Sequence, residues 1–246
     1  MTRRSGALRI FLYNWPVYVG TWSAAVLLPI LVWFGAPRFL TSAGIAGAAA
    51  VGWSVASLLV SFYVYDRSQL VGGAWMGRLV PSLDGAWATI HAGLDAEIDL
   101  DAVMTGPCVG RLDIFDPRLM TASSISRARE RTAHAHTAIS CSPTALVLAD
   151  QSCDAVVVAF TAHEIRDRRA RERFFEELTR VLRPGGKLVL VEHVRDLANL
   201  LAFGPGFFHF LPRHEWLRLA SHATLSIASE MRITPWVMAL ALERSP

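Results

Sequence analysis

The stretch from Asp150 to Arg195 constrains this chain more than any other. Asp154 is followed by Ala155 to Phe160, a short unbroken apolar run. Such a run suits a strand buried on both faces of a parallel sheet. From Arg168 to Leu182 the period changes. Phe174, Phe175, Leu178, Val181 and Leu182 recur at i, i+1, i+4, i+7 and i+8, one face of a helix, while Arg169, Arg173, Glu176 and Arg180 take the other faces. Pro184-Gly185-Gly186 is expected to stop that helix, and Leu188 to Val191 reads as a second buried strand. A strand, a helix and a strand in this order predict a right-handed parallel crossover.

The wording of this unit is specific. The turn Leu146-Val147-Leu148-Ala149-Asp150-Gln151-Ser152-Cys153-Asp154 is followed downstream by Arg180-Val181-Leu182-Arg183-Pro184-Gly185-Gly186. This resembles the second half of a class I S-adenosylmethionine-dependent methyltransferase, of the type 11 kind. The resemblance covers roughly residues 86–243 and is strongest over 146–195. It implies an α/β, Rossmann-like, mostly parallel sheet closed by a late antiparallel hairpin, with S-adenosylmethionine as cofactor.

Charge is distributed unevenly. Charged residues make up 18 % of the chain, against roughly 25 % in ordinary soluble domains, and the deficit lies before residue 66. No charged residue falls between Arg9 and Arg38, nor between Arg38 and Asp66, gaps of about 27 residues each. A bilayer core needs about 20. Two transmembrane helices are expected, near residues 16–36 and 42–64. A signal peptide fits less well, because the first apolar run is too long and a second follows at once. Tyr13, Trp15 and Tyr18 mark one interface, Trp33 and Phe34 the other, and Tyr63 and Tyr65 the return. Arg3, Arg4 and Arg9 precede the first helix and Arg67 and Arg78 follow the second, whereas the turn carries only Arg38. The positive-inside bias then places both termini in the cytoplasm, with the chain as a multi-pass protein of the inner (cytoplasmic) membrane. Gly44, Ala48, Gly52 and Ala56 form a small-residue stripe that lets helices pack closely. It can mate with the first helix or with another copy of the chain, giving a homo-oligomer.

The organisation expected is a membrane anchor over 1–65, a connector over 66–85 and a methyltransferase domain over 86–246. Within the last, strands are expected at Trp87–His91, Val109–Ile114, His136–Ser140, Ala155–Phe160 and Leu188–Val191. A hairpin of Thr224–Thr234 and Trp236–Leu242 follows. Helices are expected at Ala96–Met104, Ser123–Arg131, Arg168–Leu182 and near His214–Ala220.

In open α/β sheets ligands sit beyond the carboxyl ends of the strands. Here that means the turns after His91, Ile114, Ser140 and Phe160. The family has a three-glycine turn after its first strand; this chain has Ile90-His91-Ala92-Gly93-Leu94-Asp95, with Gly93 alone. Asp95 and Glu97 can receive the cofactor's amino group, or simply favour a helix N-terminus. Asp113 lies about 20 positions after the turn, where a carboxylate suits a ribose diol. Asp116 is the runner-up, although Asp116-Pro117 also reads as a plain turn. The resemblance places Ala145 and Leu146 beside the adenine and Phe160, Thr161 and Ala162 beside the sulfonium.

Methyl transfer needs a base only if the nucleophile carries a proton. His163 and Glu164 follow the fourth strand; Glu192 and His193 follow the fifth. His163 is the best candidate base and Glu164 and His193 the next, with a backbone-bonding role for His163 as the alternative. The residue four after His163 is Asp167 and the histidines show no ligand spacing, so no metal is expected. The three cysteines give no disulfide framework or zinc site. Neither a Gly-x-Ser-x-Gly elbow nor a phosphate loop occurs, and a net charge of +3 gives no reason to expect nucleic acid. Leu197 to Pro212 is aromatic and apolar, at the mouth of the expected cleft. It reads as the lining of an apolar pocket, a bilayer-facing surface, or core. Paired with the hairpin, it points to a lipid-soluble or amphiphilic methyl acceptor. The alternative is a non-catalytic membrane scaffold that keeps the fold with a degraded glycine turn.

Overall fold

The structure is a computed structural model and describes residues 5–80, 83–93, 98–131 and 138–245. Two long antiparallel helices, α1 (Gly6–Gly35) and α2 (Leu40–Phe62), are joined by a tight turn at Pro37–Phe39. Both are long and apolar enough to cross a membrane, and most of their surface is unburied. The helices meet at Gly47, where a Cβ would lie 2.9 Å from the Ala25 carbonyl oxygen, so only glycine permits the approach. Gly44, Ala48, Gly52 and Ala56 face outward, away from α1. A kink at Asn14 comes two residues before Pro16, which removes an intrahelical donor. At the base, Asp66 caps α1: its carboxylate accepts from Ser5 Oγ (2.9 Å), Gly6 N (2.7 Å) and Ala7 N (3.1 Å). The chain leaves α2 through a π-helical turn at Tyr63–Arg67.

A short helix, α3 (Met76–Leu79), leads to the sheet. In chain order there follow β1 (Trp87–His91), α4 (Leu100–Val103), β2 (Cys108–Asp113), α5 (Ser123–Arg131), β3 (Ile139–Ser140), β4 (Cys153–Ala159), α6 (Arg168–Val181) and β5 (Leu182–His193). The chain ends with α7 (Leu197–Phe203), α8 (Arg213–His222), β6 (Leu225–Thr234) and β7 (Val237–Arg244). The seven strands run in the order β3-β2-β1-β4-β5-β7-β6, and β7 runs opposite to the other six. The order reverses between β1 and β4, so a crevice opens beyond their carboxyl ends.

Period-two alternation sends side chains to two cores. Val156, Val158, Leu188 and Leu190 pack against Phe174, Phe175, Leu178 and Trp216 from α6 and α8. Ala155, Val157, Val189 and Val191 face the other way, onto Val64, Leu70, Trp75, Met76, Leu79 and Val80. The stretch read as a connector thus forms the second layer of the sheet.

The differences from the sequence reading lie at element ends. The helix expected at Ala96–Met104 is described only as Leu100–Val103, and the strand expected from His136 only as Ile139–Ser140; residues 94–97 and 132–137 lie outside the description. Leu182 is already extended (φ −73°, ψ 140°), so α6 ends before Pro184, and Gly185 (φ 76°) serves the turn beyond. Helix α7 carries no signal in the sequence, because Leu197 to Phe203 has no polar face to reveal a period.

Candidate active site

The first half of the site is at the ends of β1 and β2. His91 and Asp113 are partners in the parallel register. Gly93 turns the chain with φ 98°, a conformation that favours glycine, and a Cβ there would meet the Arg129 side chain at 2.8 Å. Arg129 comes from α5 and grips Asp113 with both ends of its fork (2.9 and 2.8 Å). It also donates to the Ala92 carbonyl (3.3 Å) and lies 4.3 Å over the Phe115 ring. Burial would raise the Asp113 pKa, but hydrogen bonds from Arg129 and the Phe115 amide and the Arg129 charge hold it below the ordinary value.

The donor set suits S-adenosylmethionine in kind: a left-handed glycine turn ends β1 and a carboxylate ends the neighbouring strand β2, both against Arg129. A ribose diol at Asp113 would have to compete with Arg129 for the same two oxygens. We expect Asp113→Ala to weaken cofactor binding by about 1.5–3 kcal/mol, the scale of a charge-assisted hydrogen bond, read by calorimetry on detergent-solubilised protein. Unchanged affinity alongside loss in Asp116→Ala would move the role to Asp116. That residue accepts from the Arg118 amide (2.9 Å) and pairs with the exposed Arg118 side chain, as a turn residue does. Ile114 is fully buried and its amide donates to the His91 carbonyl (2.9 Å), so it backs the turn from the core. The Leu146 amide is taken by Glu177 (2.7 Å). Asp95 and Glu97 lie outside the described residues.

The second half is at the ends of β4 and β5. Phe160 holds φ 49°, uncommon for a bulky residue, and its amide donates to the Val191 carbonyl (2.8 Å). Thr161 and Ala162 are buried behind it. His163 Nδ1 donates to Glu192 Oε2 at 2.6 Å, and His163 Nε2 lies 3.4 Å from Glu164 Oε1. All three residues are buried. Burial alone would lower the His163 pKa; the Glu192 and Glu164 charges and hydrogen bonds outweigh it and push the pKa to about 10. Burial likewise would raise that of Glu164, but hydrogen bonds from His163 and His209 hold it well below the carboxylate range. Two buried carboxylates beside the ring favour its protonated form, so His163 would act as a base only after giving up that proton.

His193 has the opposite character. Burial lowers its pKa to about 4, so it is neutral. Its Nδ1 donates to the Trp236 carbonyl (2.8 Å), and Nε2 accepts from the Tyr65 hydroxyl (2.7 Å). Tyr65 comes from the π-helical turn below α2, and its ring packs edge-on against Phe160 (5.6 Å) and His193 (6.0 Å). Phe203 and Phe210 close on His193 at 5.3 and 4.9 Å. Both aromatics are half-buried against His193, whereas Phe208 points out, 67 % exposed.

The sequence reading missed Tyr65, Arg129 and His209. His209 Nε2 donates to Glu164 Oε1 at 3.0 Å, from 45 residues further along the chain. His163, Glu164 and His209 thus bring three ligand atoms within 4.8 Å of one another, close enough to hold a metal ion. Both histidines already have partners: His163 Nδ1 bonds to Glu192, and Arg166 donates to the His209 ring and to its carbonyl (2.9 Å). A metal would have to displace the proton of His163 and the guanidinium of Arg166.

The sequence model for the family described as "Methyltransferase domain" matches residues 118–190, from the turn after β2 into β5. An S-adenosylmethionine-dependent methyltransferase from Aquifex aeolicus superposes with a TM-score of 0.51 at 16 % identity, over 78 % of this chain and 97 % of that one; the likeness is one of fold. Another, from Methanosarcina mazei, gives a TM-score of 0.49 at 17 % identity, over 72 % and 99 %. No curated protein matches. The match thus sets a methyltransferase-domain sequence signature on the central part of a seven-stranded, mostly parallel α/β sheet.

Proposed function

We propose that this is a membrane-anchored methyltransferase whose acceptor is a lipid-soluble or amphiphilic small molecule. One observation carries the reading: Tyr65, at the foot of an apolar hairpin, enters the acceptor cleft and bonds to His193 at 2.7 Å. A hairpin that serves only as a tether has no need to reach the chemistry. The proposed orientation follows the arginine bias, with both termini and the enzyme domain in the cytoplasm of an inner-membrane protein. The outward stripe from Gly44 to Ala56 would be free to meet a second copy.

When bound, S-adenosylmethionine supplies an electrophilic methyl on a sulfonium. The protein's own task is to position the acceptor. Because Tyr65 donates to His193 Nε2, its hydroxyl oxygen keeps lone pairs for an O–H or N–H of the acceptor. Phe203 and Phe210 would hold the apolar part. The scaffold alternative predicts neither cofactor binding nor turnover.

The test uses full-length protein in detergent, labelled S-adenosylmethionine and a total lipid extract. Label should enter an organic-soluble product. Cofactor binding with label passing only to polar, water-soluble acceptors would refute the lipid reading, and no binding at all would favour the scaffold. In the same assay Tyr65→Phe should bind cofactor normally and lose about tenfold in turnover, the value of one hydrogen bond of about 1.4 kcal/mol. Turnover equal to wild type would remove Tyr65 from the acceptor site.

A further inference from the structure

We propose that α7 and the turn Gly204–His209 are immersed in the bilayer beside the hairpin, so that the acceptor cleft opens into lipid. This rests on the membrane reading of α1 and α2. The first argument is one of length. Trp53 of α2 donates to the Leu201 carbonyl at 2.6 Å, and Gly204 packs against the Trp53 ring. Trp53 is level with Trp22 of α1, which bonds to Ser54 at 2.8 Å. From this level to the tip at Pro37–Phe39 the hairpin offers only about 20 Å, at 1.5 Å per residue. A hydrocarbon core is about 30 Å thick. A membrane filled by the hairpin must therefore reach roughly 10 Å below Trp53, which takes in α7, at the depth at which interfacial helices lie.

The surface chemistry agrees. Residues 197–212 contain no Asp, Glu, Lys or Arg. Leu197 and Leu201, one turn apart, are 68 % and 65 % exposed, and Phe208 is 67 % exposed. Three large apolar side chains on one short segment, continuous with an apolar helix, make a lipid-facing patch.

The backbone agrees independently. In hydrocarbon every carbonyl needs a donor from the protein. The Leu201 carbonyl accepts from Trp53. Arg195 donates to Phe208 O and Phe210 O, each at 2.8 Å, and Arg166 donates to His209 O at 2.9 Å. A segment facing water over residues 201–210 would not need four of its carbonyls filled by side chains.

The experiment places one added cysteine at a time at Leu31, Leu201 or Ile227 in a Cys108→Ser, Cys141→Ser background of the full chain, the remaining Cys153 being fully buried. Each is labelled with an environment-sensitive fluorophore and reconstituted in phosphatidylcholine vesicles. Quenching by acyl-chain nitroxides is then compared with quenching by aqueous iodide. Cysteines at Leu31 and Leu201 should lose fluorescence to the nitroxides and be protected from iodide; that at Ile227, on β6, should show the reverse. If Leu31 is quenched by lipid while Leu201 is quenched only by iodide, the immersion of α7 is overturned and the anchor stands. If Leu31 itself is reached by iodide and not by lipid, the anchor falls and the immersion with it. Cofactor binding by each labelled protein confirms that it is folded.

Discussion

A chain that begins at Leu83 will not fold. It lacks Val64, Leu70, Trp75, Met76, Leu79 and Val80, each at most 3 % exposed and packed on the second face of the sheet. Each such side chain contributes about 1.5–3 kcal/mol by burial. Together they exceed or match the whole stability of an ordinary domain, about 5–15 kcal/mol, even if the area count is an upper bound. A chain that begins at Phe62 keeps these residues and Tyr65, and should retain secondary structure and bind cofactor. Circular dichroism and calorimetry on the two truncations check this. A folded, cofactor-binding protein from Leu83 would show that the second layer is dispensable. The experiment also bears on function, because Tyr65 leaves with the same segment.

The second large effect is expected at Glu192. Glu192→Gln keeps the shape and removes a buried charge 2.6 Å from the His163 ring. We expect a loss of about 3 kcal/mol, the lower end for a buried pair broken from one side. The pH dependence is the sharper readout. His163 has a folded-state pKa raised from 6.5 to about 10. Its share of stability is therefore fully present below pH 6.5 and is lost as pH rises through about 10. His193 works at the other end: its pKa is lowered to about 4, so its share is present above pH 6.5 and is lost as pH falls toward 4. Thermal midpoints of wild type should fall on both sides. In Glu192→Gln the alkaline fall should flatten, because the proton on His163 is no longer held, while the acid fall remains. An unchanged alkaline limb would mean that Glu192 does not hold that proton.

The sequence by itself determined the elements that repeat a period. The alternation Ala155-Val156-Val157-Val158 and the stripe Phe174, Phe175, Leu178, Val181 specify strand and helix locally, because each face must find apolar cover whatever lies opposite. The two charge-free runs determined a helical hairpin for the same reason. Asp113 and the pairs His163-Glu164 and Glu192-His193 could be placed at strand ends, since ligand sites in such sheets lie there. What those side chains are, chemically, only the tertiary structure decided. Nothing near His163 in the chain reveals that Glu192 arrives 29 residues later to raise its pKa, or that burial lowers that of His193. Protonation follows from the charges and solvent around a group, and these come from distant segments. Likewise the run from Gly72 to Val80 has no period to mark it as a layer of the fold, and Tyr65 reads as an interfacial aromatic until the π-helical turn aims it at His193. The contacts that join the hairpin to the site bridge 128 residues, from Tyr65 to His193, and 148, from Trp53 to Leu201. Periodicity is a local signal and is silent at that range.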